Sequence, residues 1–462
     1  MNARARKSAE RAHRWRHVAT RERAMLARAL APRDVGGDDT RPRALSLAIA
    51  CVALVAAGAC LHRTLERRMS PRRGNRSSSG SRAGSTTSAR EDVLSAIGNT
   101  PLVRVESLTR LTSCNVYVKC EFLNPGGSVK DRVARRIVEE ALQSGALASN
   151  GIVCEGTAGS TGVSLAMVCK ALGVECFVAM PDDASLEKSA LVEAYGARVE
   201  RVRPVSIAHR DHFVNVARRE AESARASRGA GGGFFADQFE NLANFRAHKE
   251  GTGTEIYDAL GDELDAFVCA CGTGGTLAGV GAALMENNPS VKLFLADPQG
   301  SGLFNRVTRG VMYTKEEAEG KRLKNPFDTI TEGVGINRIT ENFKVMLDTP
   351  FMLAGAIKVS DAEAVAMSRF VAKNDGLFIG SSSAVNLVAA VRVAQYLGPG
   401  HSVCTIACDS GLRHMTKFWS DQYLAAHNLT PHDVDAEDLC FLDANVAVTA
   451  ARCYSASVTS SD

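Results

Sequence analysis

The sequence contains no Cys-x-x-Cys pair and no compact cysteine-rich module, although 13 of its 462 residues are cysteine. Thiols scattered in this way build neither a disulfide framework nor a zinc knuckle, and no metal site is expected. Cys269, Cys271, Cys404 and Cys408 lie in apolar, strand-like runs, where a free thiol behaves as a small hydrophobe. Buried, reduced thiols point to a reducing compartment. A basic surface is also missing from most of the chain. Residues 1–90 hold 20 Lys or Arg against 6 Asp or Glu, so the remaining 372 residues carry 35 against 45. The formal charge of +4 therefore hides a basic leader on a mildly acidic body, and nothing in that body argues for nucleic acid. At 45% hydrophobic and 23% charged residues, the composition excludes both a disordered chain and a multispan membrane protein.

Only one long uncharged run stands out, within residues 44–62 (ALSLAIACVALVAAGACL and one His). As a helix its 18 uncharged residues span roughly 27 Å, enough to cross a bilayer. Arginines on both sides leave its orientation undetermined. Residues 1–43 are rich in Arg and Ala, in the manner of a mitochondrial presequence. Residues 63–90 read as a flexible basic linker, of which 69–90 are rich in Ser, Gly and Arg, too polar to bury anything. The expectation is a single-pass anchor that contacts the lipid bilayer through residues 44–62, on a mitochondrial membrane.

From Glu91 to about Ala426, short β-rich runs alternate with longer helical patterns: NVYVKCEF then DRVARRIVEEALQSGAL, GIVCEG then STGVSLAMVCKALG, and RVERVRP then a helix from Ile207 to about Ser227. Strands followed by helices through short turns imply crossover connections and parallel sheets covered on both faces. A second series starts at DAFVCACGTGGTLAGVGAALM and returns at HSVCTIACDSG. The reading is two α/β domains, residues 91–240 and 241–426, with a ligand cleft between them. The tail, residues 427–462, receives no role.

Four strand-to-helix turns could carry chemistry. In NPGGSVKDR (124–132) Pro125, Gly126 and Gly127 make a turn, and Lys130 falls in the first helical turn. The positive end of a helix lowers the pKa of an amine, and an amine must be unprotonated to attack an aldehyde. On spacing alone, a solvated surface lysine is the alternative. EGTAGSTG (155–162) exposes a row of backbone N–H groups that suits a carboxylate or phosphate, or is simply a tight turn. CGTGGTLAGVG (271–281) invites a dinucleotide reading, with Asp297 in the place of the ribose-binding acid. That fingerprint fails because Leu277 occupies the third glycine position. Gly272, Thr273, Gly274, Gly275 and Thr276 instead offer amides and hydroxyls to one phosphate group. In FIGSSSAVNL (378–387) a hydroxyl could meet a heterocyclic nitrogen or merely cap a helix.

Taken in order, IGNTPLVR (97–104), NPGGSVKDR, GTAGSTG, ADQFENLANF (236–245), CGTGGTLAG, EGVG (332–335) and GSSSA (380–384) resemble the cysteine synthase and cystathionine β-synthase family of pyridoxal-phosphate (PLP) enzymes, fold type II. The resemblance covers residues 93–425. It implies a two-domain α/β fold similar to the tryptophan synthase β subunit, PLP as cofactor, an amino-acid substrate with sulfide, and a homodimer. GTAGST, DPQGSGL (297–303) and GLRHMTKFW (411–419) look like the membrane-tethered mitochondrial branch.

Carried over, the resemblance makes Lys130 the Schiff-base lysine and carrier of the Cα proton. Gly272 to Thr276 would bind the cofactor phosphate, and Ser382 would meet the pyridine nitrogen. Thr157, Ala158, Gly159 and Thr161, with Gln238, would hold the substrate carboxylate. Ser160 stands where relatives commonly have Asn against the cofactor's ring hydroxyl, and SLEKS (185–189) replaces the usual serine-acid-arginine phrase. The implied reaction is β-replacement, O-acetylserine plus sulfide giving cysteine plus acetate. The rivals are cystathionine β-synthesis, a serine/threonine dehydratase, and a tethered protein that keeps PLP without turnover.

Overall fold

The computed structural model describes residues 90–314, 329–349, 352–431 and 438–452. The apolar run at 44–62 and its flanks lie outside them, and among the described residues no helix is long and apolar enough to cross a membrane.

The strands form two sheets. The larger runs β1 (Leu102–Arg104), β2 (Asn115–Cys120), β10 (Ser402–Ala407), β7 (Ala266–Ala270), β8 (Lys292–Pro298), β9 (Gly355–Val359) and β11 (Thr449–Ala450); the smaller runs β5 (Arg198–Val202), β4 (Glu175–Pro181), β3 (Ile152–Gly156) and β6 (Gly233–Phe235). Every neighbour in the smaller sheet is parallel, whereas β1 and β11 close the larger one as antiparallel edges. Strands β3, β7 and β10 are buried along their whole length. Their largely apolar runs follow from that, since a parallel sheet has helices on both faces; Glu155 in β3 and Thr405 in β10 are buried exceptions.

The helices that build the site are α1 (Lys130–Gln143), α2 (Ser160–Leu172), α3 (Leu186–Ala194), α4 (Phe213–Arg228), α5 (Gly275–Asn287), α6 (Asp361–Asp375) and α7 (Ser381–Leu397). Helix α1 shows the helical period plainly. Val133, Ala134, Ile137, Val138 and Ala141 are buried, while Arg135 and Glu139 pair across one turn of the outer face at 2.8 Å. Helix α7 is buried from Ser381 to Ala394, because it lies on β7 and β10 with α6 outside it.

Three sequence expectations need correction. The sheets do not divide at residue 240: β1 and β2 belong to the larger sheet, because β2 pairs in parallel with β10 over six residues. The helix expected from Ile207 begins at Phe213, where His212 accepts from Val214 N at 3.3 Å, and the preceding residues form turns. The described part of the tail, 438–452, packs against the core. Strand β11 pairs with β9, Phe441 sits 5.8 Å from Phe370, and Asp443 N donates to Glu363 Oε1 at 3.0 Å.

Candidate active site

A cavity of about 350 Å³ opens where the C-terminal ends of strands from both sheets face each other. Lys130, Thr157, Ala158, Gly159, Ser160, Thr161, Gln238, Gly272, Thr273, Gly274, Thr276 and Ser382 all line it. Of the sequence-predicted residues only Gly275 does not. It packs instead on Asn244, where a Cβ would come within 2.1 Å of Oδ1.

Lys130 is placed by a turn fixed from both sheets. Val129 N donates to Cys408 O at 2.8 Å, and Ser128 bridges to Asp409. Asp131 closes the turn from behind, accepting from Gly126 N at 2.6 Å and from Ser164 Oγ at 2.5 Å. Burial pushes the Asp131 carboxyl up to about 6, against the pull of those two bonds. The Gly126 carbonyl in turn accepts from Arg413. Gly127 needs its positive φ of 81° to complete this geometry.

On the same cavity, the loop from Gly272 to Thr276 leads into α5. A Cβ on Gly272 would fall 2.2 Å from the Gly333 carbonyl, and Gly274 has φ +87° beside Phe343. Thr273 Oγ1 accepts from Asn244 Nδ2 at 2.9 Å, and its carbonyl from Thr340 Oγ1 at 2.7 Å, which pins the loop. Thr276 Oγ1 lies 3.1 Å from His248 Nε2. Burial, with Lys130 and Arg132 nearby, drives His248 well below its ordinary pKa, so a neutral imidazole backs the loop. The result is a glycine-rich loop with two threonine hydroxyls at the start of a 13-residue helix, an arrangement suited to a phosphate.

The three serines of GSSSA separate into different tasks. Ser381 Oγ accepts from Glu332 N at 3.0 Å, and Ser383 Oγ accepts from Cys408 N at 2.8 Å. Ser382 alone lines the cavity, beside a Cys408 thiol that burial pushes up to about 11. Cys269, also on the wall, is raised well above its ordinary value by burial, so neither sulfur is a ready nucleophile.

On the small-sheet side, Gly159 N donates to Thr157 Oγ1 at 3.1 Å, and Thr161 Oγ1 donates to Gln238 Oε1 at 2.6 Å. Ser160 Oγ reaches across to Asp409 Oδ2 at 3.4 Å. Asp409 is one of several residues the sequence reading missed. Burial alone would push its carboxyl up, but His414, Lys188 and Arg413 outweigh that and hold it at about 2. His414 Nε2 is 3.1 Å from Asp409 Oδ2, and its Nδ1 is 3.7 Å from Glu332 Oε2. Glu332 also pairs with Lys188 from the SLEKS segment, and Lys417 Nζ lies 3.8 Å away. Asp409 had one visible signal, an acid ending an apolar parallel strand at the cleft. The others are single charges far apart in sequence, brought together only by the fold.

An amine at a helix start, a glycine-rich loop suited to an anion and a serine hydroxyl, all on the wall of one cavity, are the groups that pyridoxal phosphate requires. Lys130 would hold its aldehyde carbon, Gly272 to Thr276 its phosphate, and Ser382 its ring nitrogen. Two sheets meeting at such a cleft define a two-domain α/β enzyme of the PLP-dependent class. Residues 93–409 match the family model "Pyridoxal-phosphate dependent enzyme", and the chain belongs to that family.

Among its relatives is a Schizosaccharomyces pombe protein named cysteine synthase 2, 48% identical over 75% of this chain and 89% of that one. A Saccharomyces cerevisiae protein named as a mitochondrial cysteine synthase is 46% identical over 75% and 88%. A solved structure described as the O-acetylserine dependent cystathionine β-synthase of Helicobacter pylori is 30% identical. It covers 71% of this chain and 98% of its own, with a TM-score of 0.61.

Proposed function

We infer that the protein is a PLP-dependent cysteine synthase that exchanges the acetoxy group of O-acetylserine for sulfide, releasing acetate. The observation that carries this reading is that Lys130 and the Gly272–Thr276 cradle open onto one cavity. When bound, PLP supplies an electron sink for negative charge at the Cα of the amino acid joined to it. Ser382 would present a hydroxyl to the ring nitrogen; without a carboxylate there the sink would be weaker, favouring loss of the β-substituent over reprotonation at Cα. Lys130 Nζ would hold the cofactor and, once freed from it, would take the donor's Cα proton and return it to Cα after sulfide has replaced acetate at Cβ. Gln238, with the amides of the Thr157–Thr161 loop, binds the donor's carboxylate.

The full-length chain, purified in detergent, is expected to make cysteine from O-acetylserine and sulfide. Lys130→Ala should lose this activity by at least about 10³-fold while keeping its far-ultraviolet circular dichroism. Activity only with serine and homocysteine would replace this reading with cystathionine synthesis. Two finer points belong to the same proposal. Residues 1–62 support a mitochondrial membrane anchor, tested by whether the protein resists alkaline carbonate extraction from mitochondria. A homodimer is the expected assembly, tested by sedimentation in detergent.

A further inference from the structure

Behind the wall that Gln238 contributes to the cavity sits a carboxyl group with no direct access to it. Glu155, the penultimate residue of β3, is 1% exposed. Its Oε1 accepts from Gln238 Nε2 at 3.1 Å, and its Oε2 faces Gln238 N at 3.4 Å. On the opposite edge of the same amide, Gln238 Oε1 accepts from Thr161 Oγ1 at 2.6 Å. One lone pair of Gln238 Oε1 and one Nε2 hydrogen are therefore engaged, and the second Nε2 hydrogen is the donor that the amide has left for a ligand.

We propose that Glu155 is a positioning residue: it fixes the Gln238 amide so that an N–H, and not the carbonyl, faces the donor's carboxylate. This rests on the reading above, in which Gln238 binds that carboxylate.

The charge on Glu155 is consistent with this role. A carboxylate behind the amide would repel the donor's carboxylate in front of it. Burial pushes Glu155 up to about 8, with Asp237 adding to the rise, so near neutral pH the group backs the amide with little negative charge. The titratable groups that face it are Asp237, itself raised by burial, and the buried Cys176 thiol on β4.

The test uses the full-length holoprotein with two substitutions. Glu155→Leu keeps the volume and removes the acceptor. The KM for O-acetylserine should rise about tenfold with kcat within about threefold of wild type, and the cofactor's visible absorbance should persist. Glu155→Gln restores a carbonyl acceptor and should bring KM back to within about threefold. Propionate, a carboxylate without an amine, serves as an equilibrium probe through its effect on the cofactor absorbance. Its affinity for the wild type should fall by about threefold or more as pH rises through 8, and for Glu155→Gln it should stay flat. An unchanged KM in Glu155→Leu, an equal fall in kcat, or identical pH profiles for propionate would each overturn the inference. If Glu155→Leu does not accumulate as folded protein, the propionate profiles decide. They also decide if the wild type makes no cysteine, a result that would overturn the proposed reaction without touching Glu155.

Discussion

Single carboxyl groups set much of the chemistry, and each is governed by what buries or pairs it. Asp409 is held at about 2 by His414 and its neighbours despite its burial, whereas burial raises Asp131 to about 6 and Glu155 to about 8. The raised groups have a consequence for stability. Between the ordinary carboxyl value near 4.5 and about 8, the unfolded chain has released the Glu155 proton while the native state keeps it. Native stability therefore falls as pH rises across that window. Removing the titration should flatten the curve. In thermal unfolding, Glu155→Gln is expected to lose less Tm than the wild type between pH 5 and pH 8, and parallel curves would contradict the assignment. At this scale the sequence is legible where chemistry demands a special backbone. The Lys130 turn, the Gly272–Thr276 loop and the GTAGSTG loop announce themselves through clustered glycines. Glu332, Lys188 and His414 do not, because an isolated charge looks the same on a solvated face as in a cleft.

At the scale of elements, periodicity predicts α1, α2 and α5 well, since each has an apolar strand before it and a small-residue turn at its start. Two of the three failures share a cause in long-range pairing. Nothing in NVYVKC indicates that β2 joins a strand some 280 residues away, and nothing in the tail's weak pattern indicates β11. The tail nonetheless carries stability. Arg392 of α7 is 5% exposed and donates to Glu363 and to the Asp443 carbonyl, the latter at 3.0 Å. Phe441→Ala, which removes a ring packed on Phe370, should lower stability by about 2 kcal/mol in denaturant unfolding. A change below about 0.5 kcal/mol would mean the tail is a passenger. In the cofactor cradle, Gly274→Ala forces a side chain at φ +87° and against Phe343 Cβ at 2.6 Å. It should reduce retention of PLP through dialysis at least about tenfold, while thermal unfolding of the cofactor-free protein shifts only modestly.

For the whole molecule, the site exists only where two sheets meet, and few contacts cross its mouth. Ser160 reaches Asp409 at 3.4 Å, Thr416 reaches Glu187 at 3.3 Å, and Lys417 reaches the Asp183 carbonyl at 3.2 Å. The last two are exposed, so each is worth little by itself; Lys417→Gln should change stability by less than about 0.5 kcal/mol. Three lysines nevertheless line the cavity, Lys130, Lys188 and Lys417, and the account assigns the cofactor to Lys130 alone. Borohydride reduction of the purified holoprotein, followed by peptide mass spectrometry, tests that assignment most directly. A single phosphopyridoxyl adduct is expected on the peptide containing Lys130, absent in Lys130→Ala. An adduct on Lys188 or Lys417, or none on any of the three, would contradict it.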